Sequence, residues 1–265
     1  LLRHDRIITN GAGGFELDLH TGKRTGWTYS RMYGCNTAIG SEHLLTFRSG
    51  AAGFCDLFSD SGTGNLGGFR SSCTANLVVA DGVLNAPDYT RTCSCAYQLQ
   101  TSLAMVHDPD AEFWAFGHTD FTSRPVSSIG INLGAPGDRR DAGGTLWFDY
   151  PSQGGPSPKL DVQIEPTTAK RFSRHSSLMA REDLNWVGAS GLRGVRRLRL
   201  QSKVPQGIER ALVRLVFAEP DGRKPGERVF TVRINGRDVL PMLDIAAVVG
   251  GTDRTLIRDV EVPDF

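Results

Sequence analysis

GGFELDLHTGKRTGWTY (residues 13–29) is the stretch whose reading decides the fold. Phe15, Leu17 and Leu19 alternate with Glu16 and Asp18, the period-2 signature of a half-buried strand. Asp18 is placed to accept hydrogen bonds from the backbone of the turn that follows, and Gly22 supplies the positive φ of a tight reversal. Trp27 then returns on a second strand with a large apolar face. A phosphate-binding loop is excluded, because the run lacks the Gly-Lys-Ser/Thr ending that such a loop requires. What remains is strand, tight turn and strand, the punctuation of a repeating β unit.

The unit recurs. GGFELDL (13–19) is echoed by AGFCDL (52–57), each followed by a Thr-Gly or Ser-Gly turn, with Phe15 and Phe54 separated by 39 residues. A period near 40 with several short strands per unit is the spacing of propeller blades. Further strands are expected in HLLTFRS (43–49), NLVVADGVLNAP (76–87) and EFWAFG (112–117), with Asp81-Gly82 as a hairpin turn. This is room for two blades and part of a third, whereas propellers close with about four to eight. The expectation is an incomplete, C-terminal part of a larger propeller over residues 1–120, completed by remaining blades or by another protein chain.

A boundary follows at HTDFTSRPVSS (118–128), polar and broken by a proline. Beyond it IGINLG, GTLWFDYPS, LRGVRRLRLQS, ALVRLVFAE, RVFTVRINGRDVL and RTLIRDVEV read as strands separated by turn clusters. Phe230, Val232 and Ile234 face one way and Thr231 and Arg233 the other, and Asn235-Gly236 is a strong hairpin signal. The fold class expected is all-β: partial β-propeller blades followed, over residues 126–265, by a jelly-roll β-sandwich.

Composition narrows the function classes. Thirty basic residues against 29 acidic ones give no reason to expect a nucleic-acid or anionic-membrane partner. No run of 18 apolar residues is present, so no transmembrane helix is expected. The chain starts at Leu1 without Met or a signal peptide and reads as a piece of something longer. All five cysteines, Cys35, Cys55, Cys73, Cys93 and Cys95, precede residue 96. Their spacing lacks the two-to-four-residue gap of zinc sites and the Cys-x-x-Cys-His of haem attachment. Disulfides of a secreted β domain are expected from Cys35, Cys73, Cys93 and Cys95, with Cys55, inside the strand-like GFCDL, as the buried free thiol.

Two families are resembled. LDLHTGKRTGW (17–27) resembles the tryptophan-docking repeat of pyrroloquinoline-quinone dehydrogenase propellers, with one extra residue before Trp27. With YGCNTAIGSEHLLTFRSGAAGFCDL and GGFRSSCTANLVVADGVLNAPDYTRTCSCAY it is similar to the last blades of large quinoprotein-like propellers of planctomycete-type bacteria. That resemblance implies that Trp27 staples neighbouring blades and that the protein is exported, to the periplasm or cell surface. It also implies that PQQ and calcium could belong to the complete propeller. The second half resembles malectin, a carbohydrate-binding β-sandwich, through VRLVFAE (213–219), RVFTVRINGRDVL (228–240) and LDIAAVVGG (243–251), with INLG and GTLWFDYPS as its opening strands. Its expected last strand is not found after VEVPDF.

Sugar recognition uses aromatic faces for the ring and short polar groups for the hydroxyls. The sandwich offers Trp147, Tyr150 and Trp186, with Asn185, Asp149 and Asp244 as polar companions. The resemblance singles out Trp186, because LNWVGAS (184–190) aligns with the malectin loop that carries aromatic ligand contacts. The competing reading is an aromatic that fills the sandwich core, which weighs more on Trp147 than on Trp186. The malectin tyrosine-rich pocket is not reproduced, so glucose-polymer specificity does not carry over. Arg48 and Arg70 are candidates to line a propeller channel, while Asp18 and Asp56 belong to the turn motif. The quinone-binding vicinal disulfide is missing, since Cys93-Ser94-Cys95 is not vicinal. His20, His43, His107, His118 and His175 show no ligand spacing, and no catalytic triad or carboxylate pair emerges. The function expected is carbohydrate binding within an exported propeller protein. The alternatives are a quinoprotein-like oxidoreductase of sugars or alcohols with its active site in missing blades, and a structural docking subunit of a surface assembly.

Overall fold

In the computed structural model, which describes residues 1–11, 13–69, 77–87, 102–108, 111–117, 128–152, 161–201 and 210–263, the opening stretch folds as strand, turn and strand. Strands β1 (Leu2–Arg3), β2 (Arg6–Ile8), β3 (Gly13–Asp18) and β4 (Arg24–Ser30) form an antiparallel sheet in that order. Asp18 Oδ1 accepts from the backbone N–H of His20 (3.1 Å) and Thr21 (2.8 Å) and from the Thr21 hydroxyl (2.8 Å). Gly22, at φ 65°, donates its N–H to the Asp18 carbonyl at 2.9 Å. The glycine directly before Phe15 has a steric cause. A Cβ on Gly14 would lie 1.9 Å from the Tyr29 ring and 2.7 Å from the Thr9 carbonyl oxygen.

The same construction follows in β5 (Ile39–Gly40), β6 (Leu44–Ser49), β7 (Ala51–Asp56) and β8 (Gly62–Asn65), again an antiparallel sheet in sequence order. Asp56 Oδ1 accepts from the N–H groups of Phe58 (2.9 Å) and Ser59 (3.1 Å), the same two- and three-residue offsets as Asp18. Its other oxygen accepts the Ser59 hydroxyl and, at 2.7 Å, that of Ser61. The repeat is thus one of turn chemistry as well as of apolar pattern. A third sheet comprises β9 (Val78–Ala80), β10 (Val83–Ala86) and β11 (Leu103–Val106). Asp81 (φ 49°) and Gly82 (φ 76°) form the expected two-residue hairpin between β9 and β10.

Successive sheets share side-chain clusters. Ile8 and Tyr29 of the first pack on Leu45, Phe47 and Cys55 of the second, with Trp27 and Leu57 at the margin. The Tyr29 and Phe47 rings stack at 5.6 Å. Ala52 of the second sheet and Ala86 of the third share a further cluster with Leu77, and the Thr46 hydroxyl donates to the Leu77 carbonyl at 2.7 Å. Trp27 Nε1 donates to Asp60 in the β7–β8 loop at 2.7 Å, so the tryptophan ties the first sheet to the second. EFWAFG (112–117) is not the strand expected. Among the described residues it makes isolated bridges, Phe116 to Thr63 and Ala115 to Asp138, and the buried Asp138 carboxylate accepts the Gly117 N–H at 2.8 Å.

Asp56 gives a pH dependence. Burial alone would raise its pKa, but hydrogen bonds from Ser59 and Ser61 and from the Ser59 and Phe58 amides together hold it below 3.8. A depressed folded pKa contributes stability that is complete above the unfolded value and is lost as pH falls through the folded one. Acid unfolding of Asp56→Asn is therefore expected to show less loss of stability below about pH 3.8 than the parent chain. Equilibrium denaturation at a series of pH values checks this, and parallel curves would contradict it.

The chain divides into two compact units, the first built mainly from residues 1–130 and 137–148, the second from 131–136, 149–151 and the chain after 159. Strands β12 (Gly130–Leu133) and β14 (Leu146–Tyr150) lie where the chain passes from one to the other, and β13 (Arg139–Arg140) pairs with β14. The second unit is built from antiparallel ribbons. β15 (Asp161–Glu165) pairs with β18 (Arg197–Gln201), and β16 (Lys170–Ser173) with β17 (Ser190–Arg193). β19 (Arg210–Ala218) pairs with β22 (Thr255–Pro263), and β20 (Val229–Ile234) with β21 (Arg237–Asp244). LRGVRRLRLQS, read as one strand, is two, broken at Gly194 with φ 76°. Asn235 (φ 50°) and Gly236 (φ 80°) close the β20–β21 hairpin as expected. Phe217 and Leu256 of the β19–β22 ribbon pack on Phe230 and Leu243 of the β20–β21 ribbon, with the two phenyl rings edge to face at 5.9 Å. Among the described residues the helices are short, α1 (Asn185–Gly188), α2 (Ile245–Val249) and a 3-10 turn at Ser176–Leu178, and the regular structure is otherwise β.

Candidate functional site

β19 runs an apolar sequence, ALVRLVFA, directly into Glu219, a carboxylate that is only 1% exposed. Burying an unpaired carboxylate costs several kcal/mol, so its partners are decisive. Arg228 Nη1 lies 2.9 Å from Glu219 Oε2, and the Asp221 N–H donates to Oε1 at 2.8 Å. Arg228 Nη2 also donates to Asp221 Oδ2 at 2.7 Å, and Arg193 Nη2 reaches Asp221 Oδ1 at 2.8 Å. Arg193 lies over the Phe172 ring, 4.9 Å from its centroid. The hydrogen bond from Arg228, foremost, and the charges of Arg193 and Arg228 hold the Asp221 carboxyl below its ordinary range. Residues from β16, β17, the end of β19 and the start of β20 are thereby joined.

The loop 219–228 is anchored at its other side too. Gly226 donates its N–H to Asp244 Oδ2 at 2.5 Å, and the Lys224 N–H donates to Glu227 Oε2 at 3.0 Å. Asp244 also caps α2 by accepting the Ala247 N–H at 3.1 Å. The Gly226 and Ala247 amides lower its pKa. Arg223 and Lys224 are exposed on this pinned loop. Elsewhere in the second unit, Arg174 pairs with Asp253 at 2.5 Å, Arg254 pairs with Glu182, and Glu182 Oε2 accepts the Thr255 N–H at 3.2 Å.

The aromatic candidates are not gathered on one surface. Trp186, in α1, is buried at 8% exposure, so its ring offers no open face, and Asn185 beside it is half-buried. Trp147 is buried at 6% exposure in the first unit, its Nε1 donating to Asp141 Oδ2 at 2.9 Å. Tyr150 belongs to the second unit and donates its hydroxyl to the Val162 carbonyl at 2.9 Å. Asp149 is buried, and Asp244 is engaged with backbone amides. The Glu219–Arg228–Asp221–Arg193 network was missed in the sequence. Its one local signal is an acid closing an apolar strand.

Of the channel candidates, Arg48 is fully buried on β6 with its guanidinium 5.4 Å from the Tyr33 ring centroid, and Arg70 lies outside the described residues. Cys35 is exposed and carries a free thiol, whereas Cys73, Cys93 and Cys95 lie outside the described residues. Cys55 is a buried free thiol, as expected, and burial pushes its pKa up to about 12. Because Cys35 is exposed and Cys55 is enclosed with its thiol kept protonated, Cys35 is expected to react with a thiol reagent and Cys55 only as the chain unfolds. Peptide mapping of the labelled protein checks this, and early modification of Cys55 would contradict it. Among the described residues, no group of His, Cys, Asp and Glu side chains is gathered closely enough to hold a metal ion.

With this geometry in place, comparison with known families matches residues 209–263 to the malectin domain, the segment that contains both facing ribbons, Glu219, Arg228 and Asp244. No curated protein and no solved structure matches the chain.

Proposed function

We propose that the second unit is a carbohydrate-binding module within an exported protein to which the first unit contributes propeller blades. The observation that carries the binding reading is the malectin-domain match over residues 209–263, whose two ribbons share one core. The blade reading is supported by successive antiparallel sheets with the same aspartate turn at Asp18 and Asp56 and a tryptophan linking the first to the second. Because Trp186 is enclosed, the glycan contacts are assigned to the pinned loop 219–228. There the exposed Arg223 and Lys224 side chains are available to donate to sugar hydroxyls, from a loop that Asp244 holds at the Gly226 N–H and that the Arg228–Glu219 pair ties across its ends. A preordered loop loses little conformational freedom when it binds.

Affinity electrophoresis of the intact chain through gels containing soluble α-glucan, β-glucan or pectin tests the assignment. Retardation by at least one polysaccharide, relieved in Arg223→Ala/Lys224→Ala without a change in melting temperature, is the expected result. Retardation that the double substitution leaves intact would remove the loop from the site.

A further inference from the structure

The opening hairpin also builds a groove. Arg6, Glu16, Asp18, Lys23, Thr25 and Trp27 are among the residues lining an open depression of about 460 Å³ on the first sheet. We propose that this groove is a subsite for an acidic saccharide, a pyranose that carries a carboxylate. The site is in the first unit and is independent of sugar binding by the second.

The wall is Trp27, half-buried against the core formed by Ile8, Tyr29 and Phe47, its Nε1 held by Asp60 at 2.7 Å. An indole fixed in this way offers an apolar surface to a sugar without further ordering cost. The floor alternates acceptors and donors. The Glu16 side chain is 16% exposed, accepts the Thr25 hydroxyl at 2.7 Å and lies 3.8 Å from Arg6 Nε. Asp18 uses Oδ1 for the turn and leaves Oδ2 facing Arg6 Nη1 at 3.9 Å. A pyranose hydroxyl both donates and accepts, so a carboxylate beside a guanidinium suits its adjacent hydroxyls.

Charge selects the class of sugar. The groove is lined by three cations, Arg6, Lys23 and Arg24, and two acids, Glu16 and Asp18; both acids face Arg6, and Arg24 lies over the Phe15 ring at 3.8 Å. Lys23 lines the same groove and, among the described residues, makes no ion pair. The surplus ammonium beside an aromatic wall and paired hydrogen-bonding groups accommodates a sugar carboxylate better than a neutral sugar. A volume within the range of about 300–1,000 Å³ common to small-ligand sites leaves room for more than one residue of a chain.

The test is an NMR titration of the intact chain, following the Trp27 indole N–H signal, assigned with Trp27→Phe. The probes are tetragalacturonate, neutral galactotetraose and inorganic phosphate. Tetragalacturonate is expected to shift that signal saturably, with affinity weakened about fivefold in Lys23→Ala at unchanged melting temperature. The two other probes should leave it in place. Equal shifts with galactotetraose would overturn the acidic class, and equal shifts with phosphate would reduce the groove to an anion site. No shift with any probe, or a shift indifferent to Lys23→Ala, would overturn the subsite itself. Binding confined to the second unit would leave the Trp27 signal still and so remains distinguishable.

Discussion

Replacing Arg228 with methionine is expected to cost the second unit about 3–5 kcal/mol, the cost of leaving a buried carboxylate without its partner. Glu219 is 1% exposed, and Arg228 supplies the guanidinium 2.9 Å from its Oε2. The change also strips Asp221 of one of its two arginines. Glu219→Gln should cost less, about 1–3 kcal/mol, because the amide oxygen can still accept the Asp221 N–H. The order of the two variants is therefore diagnostic. Denaturant unfolding followed by tryptophan fluorescence measures both, and a neutral Arg228→Met would show that the guanidinium is not what offsets the burial.

In the first unit the largest effect is expected from Phe47→Ala, about 3–5 kcal/mol. Phe47 is fully buried on β6, stacked on Tyr29 of the neighbouring sheet and within the cluster of Ile8, Leu45 and Cys55. Truncation leaves a cavity between two sheets whose backbones are each fixed by their own hydrogen bonds, so the space cannot readily collapse. Phe47→Leu retains most of the volume and should cost clearly less. Equal losses for the two variants would argue against close packing between the sheets.

Local chemistry made part of this fold legible. The turns at Gly22, Asp81-Gly82 and Asn235-Gly236 depend on positive φ and near-neighbour hydrogen bonds, which the residues themselves specify. The equivalence of Asp18 and Asp56 was visible for the same reason. Helix α2 could also have been found, since Asp244 precedes IAAVV and Gly250 follows at φ 72°. What escaped was set by distant partners. Trp186 reads as a ligand platform in isolation, yet it is enclosed where α1 packs. Glu219 reads as a strand end until Arg228 and, through Asp221, Arg193 converge on it. EFWAFG has the composition of a strand, but its pairing is divided between Thr63 and Asp138.

The carbohydrate binding proposed for the second unit is tested most directly by probing the intact chain against an immobilised glycan array that includes neutral and acidic oligosaccharides. Saturable binding to a defined glycan class, weakened by Arg223→Ala/Lys224→Ala and retained in Lys23→Ala for at least one neutral member, is the result predicted. An array without saturable binding, from a chain shown to be folded by its unfolding transition, would contradict the account.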